Sequence, residues 1–321
     1  MTVLITGGTG VIGAEVARLL LERGEERIVL FDRNPSTRRL GEAADQVEVI
    51  RGDLGIFSHV LEAVQNTQPT AIYHLGGMLS LLCEADPPAA IQSNALGTFH
   101  VLEAARLFAV PQVLFASTIG TYGTDLDDGP LNDISLQRPS LLYGATKLFG
   151  ELLGRFYRRK YGLDFRGVRY PAIIAPGVTT PGVLQYTSWV IESAATGTPF
   201  TITVEPRTCP PLLYVKDAAR AMIELAAAPL EQIRTVNYLV TGMEPVPTAG
   251  ELVELVRDRV PTARIDFAPD PELQGLLDQA VRPIDDHNAR AEWGWQPAYG
   301  LEAMVDDFLL ELRQHPQRYT A

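Results

Sequence analysis

The stretch TVLITGGTGVIG, residues 2–13, decides the fold of this chain. Residues 2–6 predict a short buried strand, and the apolar spacing that begins at Val11 predicts a helix. Gly7 allows a tight turn between them, Gly10 lets backbone amides approach a diphosphate at the positive helix end, and Gly13 lets the helix pack closely on the strand. We therefore expect a dinucleotide phosphate site at Gly7, Gly10, Val11, Ile12 and Gly13.

The next predicted strand, residues 27–32, ends in Asp32. A carboxylate at this place can hold the ribose hydroxyls of the adenosine half of a dinucleotide, which favours NAD over NADP. Arg33, Arg38 and Arg39 follow closely and can contact the 2′-phosphate of NADP, so that alternative stays open. We count Asp32 and Arg33 among the candidate cofactor contacts.

Strand and helix patterns alternate from residue 1 to about residue 175. The predicted strands are 2–6, 27–32, 47–51, 70–75, 111–116 and 163–170, and the predicted helices are 11–23, 56–67, 88–109 and 140–161. This alternation predicts a parallel sheet with helices on both faces, which is a Rossmann-like doubly wound α/β domain over residues 1–175.

Proline and glycine punctuate the chain after Tyr170-Pro171, and the predicted elements become shorter and mixed. The predicted helices here are 183–196, 216–228, 248–259 and 300–313, and the predicted strands include 235–240 and 263–267. We expect residues 176–321 to form mainly a smaller α+β substrate lobe, with the chain crossing back to the core.

Two more strand ends carry small or polar residues. Ligands of a doubly wound sheet bind at the carboxyl ends of its strands, so we expect these residues on the cofactor side. They are Asp53, Leu54, Leu75, Gly76 and Gly77.

Tyr143 and Lys147 lie one helical turn apart at the start of an apolar-periodic run. A phenol beside an ammonium is an acid/base device, because the positive charge lowers the tyrosine pKa from about 10. The spacing alone arises by chance in many helices. Ser117 and Thr118, which end the strand 111–116, either face the same crevice as Tyr143 or only cap the strand. The glycine loop and the acidic strand end favour the catalytic interpretation.

The composition excludes several classes of protein. The 321 residues include 27 Lys and Arg against 39 Asp and Glu, a formal charge of −12 that argues against nucleic acid as the partner. No apolar run reaches the length of a membrane helix, and the first strand leaves no room for a signal peptide. Two cysteines and five scattered histidines predict neither a disulfide framework nor a metal site. We expect a cytoplasmic enzyme that acts on a small molecule.

Several motifs together resemble the extended short-chain dehydrogenase/reductases, the NAD-dependent epimerase/dehydratase superfamily, along nearly the whole chain. They are TGGTGVIG (6–13), GDL (52–54), YHLGG (73–77), NALGT (94–98), the Tyr143/Lys147 pair, RYP (169–171), YVKD (214–217) and WGWQP (293–297). The resemblance implies NAD as cofactor and a homodimer through the region of the helix 140–161. It further implies cofactor contacts at Asn94, Ser117, Tyr170, Ala172 and Ile173, and at Tyr143 and Lys147 themselves.

Within this superfamily the segments 72–80, 160–171, 179–180, 211–228, 284–286 and 293–295 are similar to the short-chain type of L-threonine 3-dehydrogenases. That resemblance implies Tyr143 as the acid/base and Lys147 as its pKa-lowering and ribose-holding partner. Ser117 and Thr118 would place hydroxyls near the substrate oxygen. The same resemblance puts Ser80, Thr179 and Thr180 near the amino-acid end of the substrate and makes Asn94 a support for the lysine.

Two departures keep a second interpretation open. Pro181-Gly182 follows the double threonine, where that family has an acidic residue and a tyrosine, and Arg282 resembles the diphosphate-holding arginine of nucleotide-sugar epimerases. The alternative is thus a nucleotide-sugar 4-epimerase or dehydratase with tightly bound NAD, unless Arg282 only pairs with Asp285 or Asp286 at the surface. A third interpretation, an NAD(H)-binding regulator without turnover, does not explain the Tyr143/Lys147 pair.

Overall fold

A parallel sheet lies at the centre of the computed structural model, which describes residues 1–126, 129–182 and 184–319. The strands are β1 (Thr2–Thr6), β2 (Arg27–Asp32), β3 (Glu48–Arg51), β4 (Ala71–His74), β5 (Gln112–Thr118), β6 (Asp164–Tyr170), β7 (Ala172–Ile174), β8 (Phe200–Ile202), β9 (Leu212–Tyr214), β10 (Asn237–Leu239) and β11 (Ile265–Phe267). The main sheet has seven strands in the order β10-β6-β5-β4-β1-β2-β3, and all neighbours run parallel. The predicted doubly wound α/β fold is therefore confirmed.

The helices of the described residues lie on both faces of this sheet and around the shorter strands outside it. They are α1 (Val11–Glu22), α2 (Phe57–Thr67), α3 (Ser80–Ala85), α4 (Pro87–Ala90), α5 (Gly97–Leu107), α6 (Leu142–Tyr161), α7 (Tyr186–Thr196), α8 (Val215–Ala227), α9 (Ala249–Arg259), α10 (Pro271–Ala280), α11 (His287–Trp293), α12 (Leu301–Gln314) and α13 (Pro316–Tyr319). α1 and α8 share one apolar core with the sheet, and α2, α5 and α6 share the other. The central strands are thus buried on both sides, which explains their nearly continuous apolar sequence.

The glycine loop is held by close backbone contacts. Gly7 has a φ of 65°, a left-handed conformation that favours glycine, and its amide donates to the carbonyl of Phe31 at 2.8 Å. A Cβ atom on Gly13 would lie 2.3 Å from the carbonyl oxygen of Gly7. The start of α1 therefore approaches the end of β1 more closely than a side chain would allow.

Residues after 171 form a second body of structure and also return to the first. β7 pairs with β9, β8 pairs with β11, and a third apolar core joins these strands to α7, α9 and α12. Between them, α8 packs on α1 and β10 extends the main sheet beside β6. The chain from 176 onward consequently contributes to this third core and to the core that α1 and α8 share.

Most predicted elements occur with ends shifted by one to three residues, but the predicted helix 88–109 is interrupted. It consists of α4, a π-helical turn at Ile91–Leu96 and α5. π-helical turns are frequent at functional sites, and this one carries the buried Asn94. The strands β7, β8 and β9 were not predicted, because each has three residues and directly follows a proline, which is typical of a loop.

No helix within the described ranges is long and apolar enough to cross a membrane. Among the same residues, no group of three or more His, Cys, Asp and Glu side chains is arranged to hold a metal ion.

Candidate active site

The strand order brings the predicted site residues to one edge of the sheet. Thr6 at the end of β1 pairs with His74 of β4, which pairs with Phe115 of β5. Thr118 at the end of β5 pairs with Tyr170 of β6. The glycine loop, the segment 75–77, the Ser117-Thr118 pair and the segment 170–173 therefore follow adjacent strand ends, where a doubly wound sheet binds its ligand.

The helix α6 is fixed on the end of β5 by contacts to successive residues of that strand. The Nζ of Lys147 donates to the carbonyl oxygen of Ala116 at 2.9 Å. The hydroxyl of Ser117 donates to a carboxylate oxygen of Glu151, and Thr118 is hydrogen-bonded to the Tyr143 phenol. Because these three helix residues are spaced by four, one face of α6 meets the strand end.

Burial raises the pKa of the Tyr143 phenol, and the hydrogen bond with Thr118 only partly opposes this effect. The sequence-based expectation that Lys147 lowers this pKa is wrong for this structure. The ammonium lies 5.9 Å from the centre of the Tyr143 ring and is directed at Ala116. Burial also lowers the pKa of Lys147 itself to about 8, so it remains largely charged at pH 7.

Ser117 has a different contact from the one the resemblance implied. It is buried, and its hydroxyl is engaged with Glu151, whose carboxylate also receives the Nε and Nη2 of Arg169 at 2.9 and 2.7 Å. Gln137 donates to the same carboxylate at 3.1 Å. Ser117 thus acts on the site through the seating of α6, and Thr118 is the hydroxyl beside the phenol.

Sequence reasoning missed Glu151 and Arg169, although one signal was present. Glu151 follows Tyr143 and Lys147 at the same four-residue spacing, so the sequence already placed it on their helix face. Its partner Arg169 stood in a quoted motif without an assigned role.

His74 links the cofactor-side turn to the π-helical segment. Its Nδ1 lies 2.7 Å from the hydroxyl of Thr6 and its Nε2 lies 3.0 Å from that of Thr98. Thr98 donates to the carbonyl of Asn94 at 2.6 Å and Thr6 accepts from the amide of Gly76 at 3.2 Å, so the ring carries its proton on Nε2. Burial lowers the pKa of His74 to about 3, which keeps the ring neutral.

Asn94 holds the backbone that follows this turn. Its side-chain amide accepts from the nitrogen of Met78 at 2.7 Å and donates to the oxygen of the same residue at 3.0 Å. A Cβ atom on Gly77 would lie 3.0 Å from Asn94 Oδ1 and 3.6 Å from Lys147 Nζ. Asn94 is therefore a neighbour of the lysine that acts through the 77–78 backbone, without a direct bond to the ammonium.

The dinucleotide end of the crevice fits NAD. α1 begins without a side-chain cap, which leaves the first amides of the helix, near Val11 and Ile12, available to a diphosphate. Asp32 receives the amide and hydroxyl of Thr9 at 3.4 and 2.8 Å, which places its carboxylate beside the glycine loop. The guanidinium of Arg39 donates to backbone carbonyls of Pro176 and Gly177, so it is not free for a 2′-phosphate.

Further predicted cofactor residues follow the ends of β2, β3 and β4. Leu54 Cδ1 would lie 2.7 Å from a Cβ on Gly76, so the backbones at 54 and 76 are closely packed. The carboxylate of Asp53 accepts from the amide of Gly55 at 2.8 Å, and Arg33 is exposed. Leu75 packs against the core that contains Ile12.

Val11 and Ile12 of α1 and Ala172 and Ile173 of β7 all pack against one apolar core. Tyr170 is the exception among the predicted contacts. Its side chain is buried and donates to the carbonyl of Ala218 at 2.7 Å, so only its backbone is available to a ligand.

The candidate substrate residues lie on three segments. Ser80 begins α3, and Thr179 and Thr180 follow β7 with at least part of their surface exposed. Arg282 precedes a segment that pairs with Leu131, through a bond of 2.8 Å from the Leu131 amide to the carbonyl of Pro283.

The surface ion pair considered for Arg282 is not formed. Its Nη1 donates to the carbonyl of Val281 at 3.0 Å. Asp285 instead pairs with His287, and Asp286 pairs with Arg290. In the part of the chain that the structure describes, Arg282 has no carboxylate partner.

The chain belongs to the NAD dependent epimerase/dehydratase family, which it matches over residues 3–238. It is thus an NAD-dependent enzyme of the short-chain dehydrogenase/reductase type, as the sequence resemblance implied. The glycine loop, Asp32 and the Tyr143/Lys147 helix all lie within the matched range.

Within this family, the chain is similar to several L-threonine dehydrogenases. The chain is 32% identical to the mitochondrial L-threonine 3-dehydrogenase of Bos taurus over 309 residues, which cover 96% of this chain and 81% of the relative. The holo form of the GalE-like L-threonine dehydrogenase from Cupriavidus necator superposes with a TM-score of 0.87 at 31% identity, over 97% of this chain and all of that one. A monomeric L-threonine 3-dehydrogenase from a metagenome superposes with a TM-score of 0.86 at 26% identity, over 98% and 99% of the two chains.

The first prediction concerns the Ser117–Glu151 contact. Ser117→Ala should lower kcat of the NAD-dependent reaction by about tenfold, because a small displacement of reacting groups is costly in rate. NAD affinity should change less than twofold, since Glu151 keeps Arg169 and Gln137. Steady-state kinetics and isothermal titration provide the readouts.

Thr67→Val is the matched control, because it removes a buried hydroxyl that donates to the carbonyl of Ala63 far from the site. It should lower stability and leave kcat unchanged. Wild-type kcat in Ser117→Ala would contradict the positioning role.

The second prediction follows from the lowered pKa of Lys147. Between pH 8 and about 10 the native protein has released this proton while the unfolded chain, with a lysine pKa of about 10.5, still holds it. The unfolded state binds more protons in this window, so the free energy of unfolding gains from this group as pH rises, by up to about 1.4 kcal/mol per pH unit.

Chemical denaturation at a series of pH values should show this rise in the difference between wild type and Lys147→Met. Parallel stability curves for the two proteins would show that Lys147 titrates normally.

Proposed function

We propose that this enzyme oxidises the secondary alcohol of L-threonine to a ketone with NAD. The single observation that carries the proposal is the Thr118–Tyr143 hydroxyl pair beside Lys147, at the strand ends where a doubly wound sheet binds its ligand. The similarity to L-threonine dehydrogenases over almost the full length of the chain supports the same substrate. A related β-hydroxy acid would use the same atoms.

The reaction converts L-threonine and NAD to 2-amino-3-oxobutanoate, NADH and a proton. Bound NAD supplies the acceptor for the hydride that leaves C3. Tyr143 takes the proton of the substrate hydroxyl, and Thr118 holds the substrate oxygen by a hydrogen bond. Lys147 provides the positive charge that stabilises the phenolate form of Tyr143 before the proton transfer. Burial raises the pKa of Tyr143, and a phenol accepts a proton only as phenolate. The positive charge near the alcohol must therefore favour the phenolate of Tyr143 in the reacting complex.

The substrate residues implied by the resemblance are hydroxyl side chains on two separate segments. Ser80 begins α3, and Thr179 and Thr180 follow β7. We propose that hydroxyls and backbone groups, in place of a carboxylate, receive the ammonium group of the substrate. Residues 1–175 hold the cofactor in this proposal, and residues 176–321 supply most of the substrate lobe.

A second candidate function is supported by Arg282. Arg282 has no carboxylate partner among the described residues, and such an arginine can hold the diphosphate of a nucleotide sugar. In that case the hydride returns to the opposite face of the sugar and NAD stays bound, as in a 4-epimerase or dehydratase. The two functions share Tyr143, Lys147 and Thr118 and differ in net production of NADH.

The third prediction separates the two functions. Purified enzyme with NAD and L-threonine should produce NADH continuously, measured by absorbance, whereas UDP-glucose or UDP-galactose should give neither NADH nor sugar interconversion. Tyr143→Phe should lose about a thousandfold or more in kcat, because it removes the proton acceptor, while NAD affinity stays within threefold. Sugar interconversion without net NADH would replace the first function by the second, and full turnover by Tyr143→Phe would refute the role of the phenol.

We further propose that the enzyme is a homodimer joined through α5 and α6. The outer faces of these helices expose large apolar side chains, which a partner copy would cover. They are Phe99, Leu107, Phe149, Leu152 and Phe156. A cytoplasmic location, which two free cysteines would suit, is proposed with it.

The fourth prediction tests the dimer. Sedimentation should give a dimer for wild type and a monomer for Leu152→Asp, because a carboxylate in an apolar interface is costly to desolvate. Leu276→Asp is the matched control, since Leu276 of α10 is 52% exposed and Leu152 is 59% exposed. A wild-type monomer at micromolar concentration would contradict the proposed assembly.

A further inference from the structure

Arg39 connects the cofactor side of the molecule to the loop that follows β7. It lies on the 3₁₀-helical segment Thr37–Gln46, a few residues after Asp32. Its Nη1 donates to the carbonyl of Pro176 at 3.0 Å and its Nη2 donates to the carbonyl of Gly177. One guanidinium therefore holds two successive carbonyls of a segment more than a hundred residues away.

Gly177 is the point where that loop turns, with a φ of 71°. Its amide donates to a carboxylate oxygen of Glu192, on α7, at 2.5 Å. A Cβ atom on Gly177 would lie 3.0 Å from Cδ1 of Tyr319 and 3.2 Å from Nη2 of Arg39. The turn is thus held on three sides by α7, by the C-terminal helix α13 and by Arg39.

Arg39 is itself anchored to the helix that begins at the glycine loop. Its backbone carbonyl accepts from the Nη1 of Arg18, on α1, at 3.0 Å. A small cavity beside it is lined by residues that include Val11 of α1 and Ala175 and Pro176 of the loop. Arg39 consequently joins α1 to the loop that follows β7.

The held turn leads directly to Thr179 and Thr180. Val178 is buried, and its carbonyl accepts from the indole nitrogen of Trp189 at 2.7 Å. Thr179 is exposed, and the loop ends where the carbonyl of Gly182 accepts from the amide of Gln185 at 3.2 Å. A loop of this composition keeps a defined position only if its base is fixed.

We propose that Arg39 is a positioning residue that fixes the base of the Thr179-Thr180 substrate loop to the cofactor-binding half of the enzyme. The inference rests on the proposed function in assigning this loop to the substrate. Without the guanidinium, the loop samples more conformations, and each substrate molecule that binds must order it again. Removal of the guanidinium should therefore raise the KM for the substrate and change kcat and NAD affinity much less.

The test uses Arg39→Ala and Arg39→Lys in the full-length enzyme. Arg39→Ala should raise KM for L-threonine about tenfold, with kcat and the Kd of NAD within about twofold of wild type. Arg39→Lys keeps the charge and can reach one carbonyl, so its KM should lie between the values of wild type and Arg39→Ala. Hydrogen–deuterium exchange of the peptides covering residues 174–182 should become faster in Arg39→Ala.

Arg264→Ala is the matched control, because it removes an arginine that donates to the carbonyl of Gly197 in the same lobe, away from the site. It should leave both KM and exchange of 174–182 at wild-type values. Unchanged exchange of 174–182 in Arg39→Ala would overturn the inference even if L-threonine is the substrate. Faster exchange in Arg39→Ala, together with no turnover of L-threonine by wild type, would support the positioning role of Arg39 and refute the proposed function. If Arg39→Ala does not fold, the same comparison is made with Arg39→Lys, and wild-type KM and exchange in that variant contradict the inference.

Discussion

The structure depends on how the helix α6 is seated on the end of strand β5. Lys147 bonds to Ala116, Glu151 receives Ser117, and Tyr143 meets Thr118, so three turns of one helix face are matched to three consecutive strand residues. A buried ammonium and a buried carboxylate are costly unless their partners are in place. This cost disfavours other registers of α6, and the correct register is the one that brings a phenol and a hydroxyl together at the crevice.

The two charged side chains of this helix face, Glu151 and Lys147, have different roles. Glu151 is balanced by Arg169 and is fully enclosed, so it contributes position without taking part in proton transfer. Lys147 has only a carbonyl acceptor among the described residues, and burial lowers its pKa to about 8. A desolvated ammonium interacts more strongly with nearby negative charge than one in water. The site thus keeps its positive charge where an alcohol loses its proton, although burial raises the pKa of the neighbouring phenol.

The sequence predicts those parts of the site that are local in the chain. The glycine loop, Asp32 at a strand end and the Tyr143/Lys147 spacing are short patterns whose geometry follows from a strand, a turn and a helix. The contacts of Ser117 with Glu151 and of Arg39 with Gly177 join distant segments, and they depend on side-chain conformations that no local pattern encodes.

The shift in the Tyr143 pKa was predicted with the wrong sign for a related reason. Proximity to Lys147 was visible in the sequence, but the direction of the ammonium and the depth of burial were not.

A crystal structure of the enzyme with bound NAD is the most direct test of the proposed site. We expect the hydroxyls of Tyr143 and Thr118 beside the nicotinamide ring and the Lys147 ammonium within reach of the adjacent ribose. A phenol far from the nicotinamide, or a crevice closed by side chains between the glycine loop and Ile173, would contradict it.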